Sequence, residues 1–203
     1  WDDAKEVPHD LKAEFDALNA FLEKIRLASP KSRRRYVAGN HDNNILGRGR
    51  IEKGVRRLCD WRLTSNIKEW EHWDITGDYD YSRSRGCFFA GPQICSSHGY
   101  ETTAIRMDRE AMFFTQNSPN CLYISGHTHR PEHPREIIWG DLPMGRWRMN
   151  VGCLRDLNPP YMERKPKYRW GHALAVVEYM PLKSPRMTKE WDARLEVLRY
   201  NDD

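Results

Sequence analysis

The run CLYISGHTHRP, Cys121 to Pro131, decides how this chain is read. Its first half, CLYIS, is a short apolar stretch of the kind that forms a buried strand, and it stops at a glycine. Two histidines follow, His127 and His129, with one residue between them. In extended backbone, residues i and i+2 point to the same side, so this spacing presents both imidazoles to one ion or to two adjacent ions. A polar loop that happens to contain histidine is the competing reading, because an isolated His-x-His pair has little specificity.

Two further stretches share the same grammar of an apolar strand, a small residue, then side chains able to bind metal: YVAGNHD at 36–42 and QICSSHG at 93–99. They contribute Asn40 and His98. Imidazole suits Zn, Fe and Mn, and the Asn40 carboxamide adds a neutral oxygen ligand. A mixed nitrogen and oxygen set without thiolates is more typical of a catalytic centre than of a structural zinc site. Asn40, His41 and Asp42 also fit a turn whose polar side chains satisfy their own backbone.

Outward from these stretches the chain alternates helix and strand. Apolar residues recur at helical spacing from Ala13 to Ala28, and Ser29 and Pro30 end that helix. Tyr36–Ala38 reads as a strand running into a loop at Gly39. Leu46, Ile51, Val55, Leu58 and Trp61 outline a second helix within 44–72, and a third lies between Thr102 and Thr115. Gly86–Ala90 and Gln93–Ser96 read as strands joined by a Gly-Pro turn. EIIWG, RWRMNVG and HALAVVEY are strands, while Lys189–Tyr200 fits either a helix or a strand. This is an α/β layered organisation with polar residues at strand ends, where such folds keep their chemistry.

At 203 residues one domain, 1–203, is the default. A charged fraction of 31% beside 39% hydrophobic residues indicates a folded chain with a hydrophilic surface. No window has the apolar length of a membrane span and no signal region is visible, so the expected location is cytoplasmic and no membrane partner is expected. The five cysteines, Cys59, Cys87, Cys95, Cys121 and Cys153, are irregularly spaced without a CxxC pair, which favours buried free thiols. Positive charge clusters in KSRRR at 31–35 and in Arg48, Arg50, Lys53, Arg56 and Arg57, a pattern that fits either a phosphate-rich partner or a solvated helix face.

The ordered set GNHD, a lone HG after a strand, and GHTH resembles the last three metal-site motifs of the calcineurin-like metallophosphoesterase superfamily. The resemblance extends to NVGC at 150–153, and the segment NPPYMERKPKYRWGHALAVVEY is similar to the closing segment of phage and bacterial members. It covers nearly the whole chain and implies a layered β-sandwich flanked by helices. By the same resemblance Asn40, His98 and His127 are ligands of the second of two divalent ions, and His129 is a ligand of the first. His41 then stabilises or protonates the leaving oxygen, with Asp42 orienting its imidazole. Mn, Fe, Zn and Mg are all compatible with such shells, and paired ions lower the pKa of a bridging water enough to supply hydroxide near neutral pH.

The chain departs from the family at its start. The family's Asp-x-His and Gly-Asp-x-x-Asp motifs are absent from their expected positions. WDD at 1–3 fits the end of the second of these, whereas TGDYD at 76–80 has the wrong place and internal spacing and reads as a turn. The expectation is a fragment that lacks the first strand, helix and second strand. Its function is then phosphomonoester or phosphodiester hydrolysis. The arginine cluster favours nucleic acid as substrate, and a phosphoprotein or a small phosphoester stays open, as does the oligomeric state. The alternatives are a binding module that keeps the fold without catalysis, and a structural metal or DNA-binding protein. The last is disfavoured because no thiolate set or DNA-reading motif is present.

Overall fold

The structure is a computed structural model that describes residues 10–40, 42, 58, 60, 62–76, 86–154, 157, 170–179 and 191–198. The chain falls into two compact units, Trp1–Gly86 and Cys87–Asp203.

In the first unit, helix α1 spans Leu11–Ala28, close to the range its periodicity predicts. Asp10 caps it by accepting the Ala13 amide at 3.1 Å, a bond of the type that contributes about 1 kcal/mol. Its buried residues Phe15 and Leu22 meet Ala38, Ile67 and Trp70, with Tyr36, Trp73 and Ile75 packed around them. Strand β1 (Arg35–Val37) pairs in parallel with β2 (Asp74–Thr76), and a 3-10 helix, Lys68–His72, precedes β2. Arg26 clamps that segment to α1 through two bonds to Glu69, at 2.9 and 3.1 Å. The second predicted helix lies largely outside the described residues; of its described part, 62–67 is turn and irregular backbone and 68–72 is 3-10. The TGDYD turn also lies outside them beyond Thr76.

The second unit holds a five-stranded mixed sheet in the order β3-β4-β5-β7-β6 and a two-stranded antiparallel sheet, β8-β9. The strands are β3 (Cys87–Gly91), β4 (Ile94–Ser97), β5 (Leu122–Ser125), β6 (Pro131–Trp139), β7 (Leu142–Val151), β8 (His172–Tyr179) and β9 (Trp191–Leu198). Helix α2, Ala104–Phe114, connects β4 to β5, which run parallel. The ambiguous end of the chain is strand: Trp191 and Leu195 are buried on one side while Asp192, Arg194 and Glu196 are exposed on the other.

Alternation sorts the central strands into two faces. Ile94, Leu122 and Met149 turn to one side and pack with Ala173, Trp191 and Leu195 of β8-β9. Cys95 and Tyr123 turn to the other, where Ala111 and Phe114 of α2 cover them together with Cys121 and Ile137. Both faces are thus buried, which explains why CLYIS reads as a continuous apolar run. Each fully buried large side chain contributes about 1.5–3 kcal/mol. On the helix side Arg148, whose side chain is 3% exposed, bonds Asp108 of α2 at 2.5 Å and also Glu132 of β6. Arg135 shares Asp108 at 2.5 Å.

The described residues therefore form an α/β protein with mixed sheets, two α-helices and no barrel. No helix among them is long and apolar enough to cross a membrane.

Candidate metal centre

Asn40 and Asp42 belong to the first unit, at the carboxyl end of β1. Both have helical backbone immediately after the Ala38-Gly39 loop. The Asp42 carboxylate accepts the Gly39 amide at 2.7 Å and the Tyr36 hydroxyl, which lies 3.1 Å from each of its oxygens. Burial, reinforced by the neighbouring Asp42 charge, pushes the Tyr36 phenol far up, so it stays a donor at any ordinary pH. His41 lies outside the described residues.

His98, His127 and His129 belong to the second unit. Strands β4 and β5 are adjacent and parallel, with Ile94 beside Leu122 and Ser96 beside Ile124, so their carboxyl ends lie side by side. Open α/β sheets place ligands outside that edge. The turns after the two strands are stitched together there, because the His98 carbonyl accepts both the Gly126 amide at 3.0 Å and the His127 amide at 2.9 Å. The two rings then meet: His98 Nε2 is 3.2 Å from His127 Nδ1, with the rings edge to face at 71°.

That separation suits a shared ion. Two nitrogens bound at about 2.0–2.1 Å to one metal stand about 2.9–3.4 Å apart for bond angles between square and tetrahedral. A neutral pair at the same distance makes an N–H···N hydrogen bond instead, one ring donating and the other accepting. The 3.2 Å separation is thus compatible both with a shared divalent ion and with a hydrogen bond between the two rings.

His129 stands differently. The GHTH segment is a turn closed by the His129 amide on the Gly126 carbonyl at 3.0 Å, and His129 itself has a left-handed φ of 60°. The extended-backbone argument that puts His127 and His129 on one side is therefore overturned, since it requires strand geometry that the chain leaves at Gly126. The His129 ring packs edge-on against Trp170 at 4.5 Å, and its carbonyl accepts the Gly171 amide at 3.1 Å. Among the described residues, no three His, Cys, Asp or Glu side chains gather in a group able to hold a metal.

Glycines make the close approach possible. Gly99 has φ +89°, and a Cβ there would lie 3.1 Å from Ser125 Cβ and 3.3 Å from His127 Cβ. At Gly152, in NVGC, a Cβ would come within 2.4 Å of the Gly171 carbonyl oxygen, so only glycine lets the start of β8 reach this edge.

Sequence reasoning missed the residues behind the histidines. Ser97 Oγ and Tyr123 Oη are 2.5 Å apart, and Ser97 Oγ accepts the Gly99 amide at 3.1 Å. Glu110 of α2, 7% exposed, accepts the Tyr100 and Glu101 amides at 2.9 and 3.2 Å. Burial pushes its carboxyl up, against the lowering effect of those donors. Asn150, 1% exposed, bonds Ser125 Oγ at 3.4 Å and accepts the Gly152 amide at 3.0 Å.

The KSRRR run is partly engaged within its own unit. Arg33 and Arg35 approach Asp74 at 3.2 and 3.6 Å, and Arg34 donates to the Ser29 and Pro30 carbonyls. The open groove that Arg33 and Arg34 line also presents Glu71 and Asp74, so its charge is mixed. Arg48, Arg50, Lys53, Arg56 and Arg57 lie outside the described residues.

No protein-family model matches the chain, and neither a curated protein nor a solved structure matches it.

Proposed function

We propose that this chain belongs to a dimetal phosphoesterase of the calcineurin-like type, with the layered β-sandwich of that family, hydrolysing a phosphomonoester or phosphodiester. The observation that carries this reading is the convergence of His98 Nε2 and His127 Nδ1 to 3.2 Å at the carboxyl edge of two adjacent parallel strands. When bound, a pair of divalent ions supplies Lewis acidity and an activated water near neutral pH. In this proposal His98 and His127 bind one ion, and His129 belongs to the other. His41 delivers a proton to the leaving oxygen. Asp42, whose carboxylate accepts from Tyr36 and Gly39, orients the His41 imidazole in this proposal.

Nucleic acid as the substrate rests on the arginines between 48 and 57, and a phosphoprotein or small phosphoester competes with it. The alternative is a binding module that keeps the fold without catalysis. Turnover of an aryl phosphodiester with added Mn separates the two. Loss of about 10²–10⁴-fold in rate in His41→Ala supports the enzyme. Turnover indifferent to His41→Ala, His98→Ala and His127→Ala rules this reading out.

A further inference from the structure

Behind His98 lie two sets of buried hydrogen bonds that the proposed chemistry does not use. The Gly99 amide donates to Ser97 Oγ, which lies 2.5 Å from the Tyr123 hydroxyl, and Glu110 accepts the Tyr100 and Glu101 amides. Ser97, Tyr123 and Glu110 are 5%, 1% and 7% exposed. These bonds grip residue 97 before His98 and residues 99, 100 and 101 after it. Tyr123 lies on β5 and Glu110 on α2, so the loop is tied to a neighbouring strand and a helix instead of to its own turn.

We infer that Glu110, Tyr123 and Ser97 are positioning residues that hold His98 in register with His127 for metal binding. The inference rests on the metal reading above. The physical reason is that the His98 carbonyl and ring both meet the GHTH turn, and neither contact fixes the direction of the following chain. A loop free to rotate at Gly99, already at φ +89°, would lose the 3.2 Å approach of the two nitrogens. Buried polar groups that orient metal ligands commonly change metal affinity about 10- to 100-fold when removed.

The experiment uses Co(II) alone as probe, with visible absorption to measure affinity, on the full chain and on Tyr123→Phe, Ser97→Ala and Thr115→Val. Thr115→Val is the control: it deletes a buried hydroxyl bond, Thr115 Oγ1 to the Ala111 carbonyl at 2.7 Å, that does not touch the His98 loop. Amide exchange at Gly126 and His127, both bonded to the His98 carbonyl, is measured alongside without metal. The expected result is Co(II) affinity weaker by about tenfold or more in Tyr123→Phe and Ser97→Ala, with faster exchange at those two amides, and neither change in Thr115→Val. The inference is overturned if the control shifts both readouts equally, or if Tyr123→Phe shifts neither. Failure of the metal reading looks different, since the parent protein then binds no Co(II), and the exchange rates still decide whether the network holds this loop.

Discussion

Gly99→Ala places a methyl group where the two histidine turns touch, and its cost can be worked out from the backbone and its neighbours. The residue has φ +89°, a conformation that costs an L-residue about 1–2 kcal/mol. The new Cβ would meet Ser125 Cβ at 3.1 Å and His127 Cβ at 3.3 Å, both on buried or half-buried backbone that must yield by a few tenths of an ångström. Overpacking of that kind adds about 1–3 kcal/mol. The expected total is about 2–5 kcal/mol, a fall in Tm of about 5–15 °C for a chain of this size. Gly140→Ala isolates the backbone part, because Gly140 also has positive φ, +63°, but no atom lies within 4 Å of its would-be Cβ. Urea unfolding of both variants gives the steric part by difference. Equal losses in the two would refute the claim that the Gly99 site is sterically tight, and a neutral Gly99→Ala would refute the whole estimate.

Three further outcomes are expected. Asp108→Ala leaves Arg148, with its side chain 3% exposed, short of one of its two carboxylates, and should lower stability by about 3 kcal/mol in urea unfolding; a loss below about 1 kcal/mol would show the network to be dispensable. The Cys95 hydrogen bond lowers the Cys87 thiol to about 7, while Cys95 and Cys121 are held protonated, Cys95 chiefly by its bond to Cys87 and Cys121 by burial. Among these three thiols iodoacetamide should therefore modify Cys87 first, with a rate midpoint near that pH as read by mass spectrometry, and Cys95→Ala should move the midpoint upward. Burial raises the Glu110 carboxyl above its unfolded value, so its contribution is fully present below about pH 4.3 and is lost as pH rises through the folded value. Unfolding free energies measured from about pH 4 to pH 7 should thus show the parent losing ground to Glu110→Gln as pH increases. A difference independent of pH would contradict the shift.

The strands that carry the histidines were legible because they are buried on both faces and must be apolar throughout, as Ile94, Leu122 and Tyr123 show. Helix α1 was legible from its single apolar stripe. The last strand was ambiguous to a helical count, although Trp191, Ala193, Leu195 and Val197 alternate with Asp192, Arg194 and Glu196 in the period of two that the structure uses. The candidate site was legible as a set of residue types but not as a set of contacts. His98 meets His127 because β4 and β5 are neighbours, a pairing across 29 residues that no local pattern encodes. Of the four residues read as metal ligands, His127 and His129 are closest in sequence, yet the left-handed residue at 129 ends the extended geometry on which that spacing depends. Glu110, Tyr123 and Ser97 gave no signal because each is unremarkable alone, and their function lies in a network assembled from a helix and two strands.

The central claim is that His98 and His127 hold one divalent ion between them, and Co(II) titration of the parent chain, His98→Ala and His127→Ala tests it most directly. The account predicts a saturable visible band for the parent that is lost or weakened by at least about tenfold in each single variant, because either substitution removes half of the imidazole pair. Binding of equal affinity in all three proteins, or no binding in the parent, would contradict it.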